Sequence, residues 1–148
     1  MLSTQDLELG AFFDDCASQG LMNGFEPEEL PSLALFFSDW AIRPGDVVLE
    51  PGCGAGRLTE RLALAVGPQG RVVACDISAG MLECARQRKL PSQVTLVHGS
   101  VASLDEPAAS FDRIICMNVF PHFLEPESVL THFARLLKPN GALWVNHF

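Results

Sequence analysis

One stretch constrains the fold of this chain more than any other. Residues 47–58 read VVLEPGCGAGRL, so that an apolar run ends on a carboxylate, Glu50, and meets three glycines spaced by two. After this turn, Leu58, Leu62 and Val66 recur at the spacing of one helix face. A buried strand, a tight glycine turn and a helix form the first unit of a doubly wound, nucleotide-binding α/β sheet.

The spacing of the glycines separates two kinds of nucleotide loop. A dinucleotide loop follows the pattern GxGxxG, but its last glycine position is occupied here by Arg57, and the third glycine comes one residue earlier, at Gly56. Both features argue against a nicotinamide-dependent oxidoreductase, which we keep as the least favoured of three functional hypotheses; the other two are given below. Glycines in such a turn permit positive φ angles, let the backbone approach a ligand, and let a helix pack closely on a strand.

Length and composition indicate one folded domain, residues 1–148, because 48% of the 148 residues are apolar and 19% are charged. No apolar run reaches the roughly 20 residues of a membrane span. The N-terminus also lacks the basic segment of a signal peptide, so we expect a cytoplasmic protein without a membrane partner. The net charge of −8 disfavours a nucleic-acid partner, since phosphate binding depends on clustered Lys and Arg.

The cysteines show no metal-binding spacing. None of the five forms a CxxC pair: Cys16, Cys53, Cys75, Cys84 and Cys116. We expect small buried thiols in a reducing compartment and no metal site, with a metal or redox role as the alternative.

Strands and helices alternate along the rest of the chain. Apolar runs predict further strands at 71–75, 94–98, 111–117 and 142–146. Helical spacing predicts helices near 4–18, 27–41, 57–66, 78–89 and 126–137, with a turn at 138–141. This order predicts an α/β fold with a doubly wound, mostly parallel sheet of strand order 3-2-1-4-5, helices on both faces and N-terminal helices. The helical segment 1–42 is a candidate lid.

Ligands of such sheets bind at the carboxyl ends of the strands, where the strand order reverses. The first predicted strand ends at Glu50, the second at Asp76, the third is followed by Ser100, and the fourth by Asn118. A carboxylate at Asp76 can accept hydrogen bonds from both hydroxyls of a ribose. These positions therefore predict a nucleoside site.

The same positions carry a family resemblance over roughly residues 40–148. The pattern E-x-G-x-G-x-G after a strand resembles the first motif of the class I S-adenosylmethionine-dependent methyltransferases, and residues 73–78 (VACDIS) look like their second motif. Residues 98–101 (HGSV) are similar to the step that meets the adenine amino group, with Ser100 in place of the usual Asp or Asn. Residues 111–118 and 136–143 resemble the motifs of the fourth and fifth strands.

By this resemblance the cofactor is S-adenosylmethionine, Asp76 holds its ribose, and Ile77 and Met81 contact its adenine. The implied cofactor-binding residues are Glu50, Gly52, Cys53, Gly54, Gly56, Asp76, Ile77, Met81, Ser100, Val101 and Asn118. The implied activity is methyl transfer to a small-molecule acceptor. The alternative is a non-catalytic S-adenosylmethionine-binding or assembly domain that has lost its acceptor site.

Catalytic groups are harder to assign. Asn118 is a weak candidate for orienting the methyl donor or the acceptor, and His122 is a weak candidate for a general base. For His122 we favour a structural hydrogen bond over catalysis by about two to one. Four aromatic residues are candidates for the wall of an apolar acceptor pocket, with a place in the core as the alternative: Phe12, Phe13, Phe120 and Phe123.

The family fold has two further strands after the fifth, whereas this sequence ends with the fifth. An apolar fifth strand at a sheet edge is a liability in solution. The chain is then a natural short form, a fragment, or covered at this edge by a partner. We expect a homodimer that buries the region around Leu143, Trp144 and Val145.

Overall fold

The computed structural model describes residues 2–20 and 23–148. Its sheet has five strands in the order β3-β2-β1-β4-β5, and each neighbouring pair is parallel. The strands are β1 (Val47–Pro51), β2 (Arg71–Asp76), β3 (Val94–His98), β4 (Phe111–Met117) and β5 (Leu137–Asn146). The predicted doubly wound strand order is confirmed.

Five α-helices accompany the sheet: α1 (Thr4–Ser18), α2 (Leu30–Trp40), α3 (Arg57–Val66), α4 (Ala79–Gln87) and α5 (Pro126–Leu136). Short 3₁₀ turns lie at Pro27–Glu29, Val101–Ser103 and Phe120–His122. The predicted helix at 27–41 is therefore shorter, because its first residues form a 3₁₀ turn and Ala41 takes a left-handed φ of 50°. Likewise, α4 ends at Gln87, before Lys89 takes a φ of 56°.

The alternation of side chains along the strands builds a core on each face of the sheet. Val48 packs into a cluster with residues of α2 and α3, whereas its neighbour Leu49 packs into a second cluster with residues of α5. Val72 and Val73 of β2 divide between the same two clusters. Both faces are covered, so the strands are apolar throughout, as is usual in parallel sheets.

The start of β5 differs from the prediction. Leu137 already pairs with Phe111, and pairing resumes only where Ala142 meets Arg113, so residues 138–141 bulge out of the strand. The predicted turn is thus an irregularity inside β5. Gly141 permits it, because a Cβ atom there would lie 2.9 Å from the Phe111 carbonyl oxygen.

The first helix lies outside the sheet and packs on α4. Its N-terminus forms a capping box, in which Ser3 and Asp6 bond to each other's backbone or side chain. Only Gly10, Cys16 and Ala17 of this helix are buried. The structure shows no helix within residues 2–20 and 23–148 with the length and hydropathy needed to cross a membrane.

Candidate functional site

A cleft with a volume of about 390 Å³ opens at the carboxyl ends of β1, β2 and β4. This volume falls within the range of small-molecule sites, roughly 300–1,000 Å³. The residues after β1, β2 and β3 line one part of the cleft, while α1 and residues 118, 119 and 122–125 after β4 line the rest. Every predicted cofactor-binding residue except Gly56 lines this cleft, and so does His122.

Two glycines of the loop after β1 have different surroundings: Gly54 faces the open cleft, and Gly52 lies against Val119. Gly54 has a φ of 57°, and a Cβ atom added to it would meet only the Met81 sulfur, 4.0 Å away, so this face is open to the cleft. Gly52 has a φ of 64°, and a Cβ atom there would overlap the side chain of Val119. The loop is tied to β2 because the Cys53 amide donates to the Cys75 carbonyl oxygen at 3.0 Å.

Gly56 has a different place from the one predicted. It takes a φ of 86° just before α3, and a Cβ atom there would lie 3.2 Å from the Ala85 Cβ atom of α4. Its role is therefore the close packing of α3 on α4, away from the cleft. The spacing of the glycines predicted that the backbone lies close to another element, but it did not identify α4 as that element.

Asp76, at the end of β2, is held by two backbone amides. Its Oδ2 atom accepts from the Gly54 amide at 2.8 Å, and its Oδ1 atom accepts from the Ser78 amide at 2.8 Å. The side chain is 9% exposed, and burial raises the pKa of its carboxyl group, against the opposing effect of these hydrogen bonds. A carboxylate has about four acceptor positions, so both oxygens retain capacity for donors from a ligand.

Glu50, at the end of β1, is 3% exposed, and its Oε1 atom accepts a hydrogen bond from the Thr59 hydroxyl at 2.5 Å. Burial raises the pKa of Glu50 to about 8, and the nearby Asp76 carboxylate contributes in the same direction. The group is therefore mostly protonated at neutral pH in the structure as it stands. A cation placed beside it would favour the ionised form.

The remaining cofactor candidates line the part of the cleft next to β3. Met81 and Val101 are buried, and Ile77 is half-buried. The Ser100 hydroxyl accepts from the Ala102 amide at 3.2 Å and thereby caps the 3₁₀ turn that follows. Ser100 thus has a structural partner in the position where the family usually carries Asp or Asn.

The two catalytic candidates occupy the segment after β4. Asn118 takes a left-handed φ of 57°, and its Oδ1 atom accepts from the Phe148 amide at 3.0 Å. Its side chain therefore ties this segment to the residues after β5. His122 is exposed, and its ring packs edge to face on Phe13, with 5.6 Å between the ring centroids. The expected structural hydrogen bond of the His122 ring is not found among residues 2–20 and 23–148, and the ring is held by this aromatic contact instead.

The contribution of α1 to the cleft was predicted only in outline. Leu9 and Phe13 lie one helical turn apart and both line the cleft, as does Gln5. Their spacing of four residues places both side chains on one face of the helix, and this spacing was visible in the sequence. Asp14, by contrast, bonds to Ser78 and Gly80 at the start of α4, and nothing in the sequence pattern pairs these positions.

Four of the five cysteines are buried, as expected, whereas Cys84 is half-buried. All five are free, and burial raises the pKa values of Cys53, Cys75 and Cys116, the last of them to about 12. Such thiols are unreactive at neutral pH. Within the described part of the chain, no group of three His, Cys, Asp or Glu side chains is arranged to hold a metal ion.

A comparison with protein families matches the part of the chain that contains the strand ends at the cleft. A family described as "Methyltransferase domain" matches residues 48–141, which is more than half of the chain and includes the strand ends described above. The chain belongs to this family. Membership in the class I S-adenosylmethionine-dependent methyltransferases, predicted from the motifs, is thereby confirmed, and the nicotinamide hypothesis is set aside.

Two curated relatives have biosynthetic names. The chain is 36% identical over 110 residues to a demethylmenaquinone methyltransferase of Symbiobacterium thermophilum, covering 72% of the chain and 44% of the relative. It is 36% identical over 107 residues to a ubiquinone biosynthesis O-methyltransferase of Xanthomonas campestris, covering 70% of the chain and 43% of the relative. The chain thus spans less than half the length of these relatives.

Among solved structures, a SAM-dependent methyltransferase from Aquifex aeolicus superposes with a TM-score of 0.74 at 24% identity, covering 88% of this chain and 70% of that one. This likeness supports the fold. The cofactor of the family is S-adenosylmethionine.

Proposed function

We propose that the chain binds S-adenosylmethionine in the cleft and transfers its methyl group to a small-molecule acceptor. The observation that carries this proposal is the cofactor side of the cleft, by which we mean Glu50, the loop 52–54, Asp76 and Ile77. These elements bring two buried carboxyl groups and an open glycine face to one wall.

The residues present on the cofactor side fit the cofactor. Asp76 has acceptor capacity left for two ribose hydroxyls after its bonds to Gly54 and Ser78. Ile77 and Met81 offer apolar surface for the adenine ring. Glu50, protonated in the structure as it stands, ionises when a cationic group lies beside it, which suits the ammonium group of the cofactor's amino-acid end.

The other wall, which we call the acceptor side, consists of Leu9, Phe13 and residues 118, 119 and 122–124. Its side chains are mainly apolar or aromatic, and Phe123 is supported by Phe120 in an edge-to-face contact with 5.4 Å between the ring centroids. An acceptor with an apolar ring would find complementary surface there. The names of the two relatives, one for demethylmenaquinone and one for ubiquinone biosynthesis, agree with such an acceptor.

S-adenosylmethionine, when bound, supplies a methyl group on a sulfonium that is open to in-line displacement. The chain then contributes mainly orientation, by holding two molecules on facing walls. His122 is exposed at the acceptor side and accepts the proton of a hydroxyl nucleophile on a ring nitrogen. Asn118 acts by fixing the segment that carries His122, through its bond to the Phe148 amide.

Calorimetric titration with S-adenosylhomocysteine tests this proposal. We expect micromolar affinity and, in Asp76→Ala, a loss of about 100-fold, since two charge-assisted hydrogen bonds are removed. Asp105→Ala, which removes an exposed carboxylate from outside the cleft, is the matched control and should bind normally. Absence of binding by the wild-type chain at millimolar ligand would refute the proposal.

A second candidate, a non-catalytic S-adenosylmethionine-binding or assembly domain, has one observation in its favour. The polar groups of Ser100 and Asn118 are already bonded within the chain. Turnover with a panel of phenols, catechols and hydroquinones, measured by formation of S-adenosylhomocysteine, separates the two. Tight cofactor binding without turnover of any acceptor would favour the second candidate.

We also propose a homodimer formed through the edge of β5. This strand is an outer strand of the sheet, and Val145 is 41% exposed. Light scattering at micromolar concentration should give a dimer that Val145→Lys dissociates. A monomeric wild-type chain would contradict this arrangement.

The proposed location is the cytoplasm, supported by five free cysteines, since a reducing compartment keeps thiols unpaired. Fractionation of cells that produce the protein tests this location, and recovery from an oxidising compartment would contradict it.

A further inference from the structure

We infer that Asp14 on α1 is a positioning residue for the cofactor site, because it fixes through Ser78 the turn that carries Asp76. The inference rests on the proposed function, since it assumes that Asp76 binds a ribose. It assigns to the N-terminal helix a role in the affinity for the nucleoside in addition to forming a wall of the cleft.

The first step is the contact between α1 and α4. The Oδ1 atom of Asp14 accepts from the Ser78 hydroxyl at 2.5 Å and from the Gly80 amide at 2.8 Å. The Ser78 hydroxyl oxygen in turn accepts from the Met81 amide at 3.0 Å. The beginning of α4 is therefore capped twice, once by its own serine and once by a carboxylate from another helix.

The second step leads from Ser78 to the cofactor side. Ser78 is fully buried, and its amide donates to the Oδ1 atom of Asp76 at 2.8 Å. The other oxygen of Asp76 accepts from Gly54 at 2.8 Å. Ser78 is thus held by Asp14 through its hydroxyl group, while its amide orients Asp76.

The third step is the close approach that these bonds require. A Cβ atom on Gly10 would lie 2.9 Å from the Ile77 carbonyl oxygen, and one on Gly80 would lie 3.0 Å from the Asp14 Oδ1 atom. Only residues without a side chain allow α1 to lie this close to residues 76–80. Gly10 of α1 and Gly80 of α4 therefore permit the short distances at which the hydrogen bonds between the two helices form.

Loss of the Asp14 carboxylate would leave the Ser78 hydroxyl and the Gly80 amide to find water or other partners. The turn after β2 would then have more conformations available, and the Asp76 carboxylate would be less well aligned with two neighbouring hydroxyls. The expected consequence is specific, because recognition of the ribose hydroxyls should weaken more than binding of the base.

The test compares the binding of adenosine and of 2′,3′-dideoxyadenosine to the full chain by calorimetry. Wild-type protein should prefer adenosine by about tenfold or more, and Asp76→Ala should remove this preference. Asp14→Ala should reduce the preference about threefold or more. Asp14→Asn keeps the accepting oxygen and should retain most of the preference.

Asp15→Ala is the matched control, because Asp15 is the neighbouring exposed carboxylate on α1 and its side chain bonds only to Gln19 within the described residues. This variant should keep the wild-type preference. Chemical denaturation of every variant separates loss of folding from loss of alignment, and Ser78→Ala, which removes the same hydroxyl bond from the other side, replaces Asp14→Ala if that chain does not fold.

A merely structural role of Asp14 would lower both affinities equally and leave their ratio unchanged, which would overturn the inference while the proposed function stands. If Asp76→Ala also keeps the preference, the ribose assignment fails, and the inference falls with it. A reduced ratio in Asp14→Ala, together with a normal ratio in Asp15→Ala, would support it.

Discussion

On the cofactor side of the cleft, each carboxyl group is held by a group close to the glycine turn, Asp76 by the amides of Gly54 and Ser78, and Glu50 by the Thr59 hydroxyl. On the acceptor side, the contacts join side chains from distant segments, as in the edge-to-face packing of Phe13 on His122. Glu50 and Asp76 of the cofactor side are buried, whereas His122 and Leu124 of the acceptor side are exposed. One wall is thus organised before any ligand arrives, and the other depends on how α1 and the segment after β4 meet.

This difference agrees with the different tasks that we propose for the two walls. A cofactor common to a whole family can be met by groups that follow directly from strand ends and a glycine turn. An acceptor varies between family members, and loops and terminal segments can change without disturbing the sheet. The predictions below test whether the two walls are in fact independent, in order of decreasing effect.

The largest effect concerns Glu50 and pH. Its raised pKa means that the folded chain binds this proton more tightly than the unfolded chain. The corresponding stability is complete below the ordinary value of 4.5 and is lost as the pH rises through about 8. Between pH 5 and pH 8, the free energy of unfolding should therefore fall in the wild type relative to Glu50→Gln, by on the order of 4 kcal/mol.

Urea unfolding at several pH values measures this difference. Glu60→Gln makes the same chemical change at an exposed carboxylate of α3 and should follow the wild-type curve. Parallel curves for the wild type and Glu50→Gln would show that Glu50 is not protonated in the folded chain.

The next effect concerns Gly52, where the two walls touch. A Cβ atom there would overlap Val119 of the acceptor side, and its φ of 64° is costly for other residues. Gly52→Ala should lower the free energy of unfolding by about 3 kcal/mol, which combines the strain of a left-handed residue with overpacking. Urea unfolding measures it.

Two companion variants sharpen this result. Gly45 also has a positive φ, of 90°, but no atom lies within 4 Å of an added Cβ atom. Gly45→Ala should therefore show the cost of the left-handed backbone conformation alone. Addition of Val119→Ala to Gly52→Ala should recover only part of the overpacking loss, because the Cβ atom of residue 119, 2.8 Å from the added Cβ atom, remains. Equal losses for Gly52→Ala and Gly45→Ala would mean that the two walls do not press on each other.

The smallest effect on the cofactor side should come from His122. Because its ring packs on Phe13 of the acceptor side, His122→Ala should change the affinity for S-adenosylhomocysteine less than about twofold, within the range of distant sites. With an acceptor bound, loss of a general base should lower turnover about 100-fold. His147→Ala, outside the cleft, is the control. A large loss of cofactor affinity in His122→Ala would show that the walls are coupled.

Much of the fold was predictable because the signals lie within short windows. The apolar run that includes Val48 and Leu49, the glycine turn and the Ser78 cap each lie within fewer than about ten consecutive residues. The positions of Glu50, Asp76, Ser100 and Asn118 followed from the rule that ligands bind at the carboxyl ends of parallel strands. The structure brings all four to one cleft.

By itself, the sequence determined the order of strands and helices and the strand-end residues that line the cleft, because periodicity and turn chemistry act locally. Only the tertiary structure decided that Asp14 meets Ser78, 64 positions away, that Gly56 packs on α4, and that residues 138–141 bulge from β5. Such contacts depend on how whole elements pack, and no short window of sequence specifies which distant atom completes a hydrogen bond or fills the space beside a glycine.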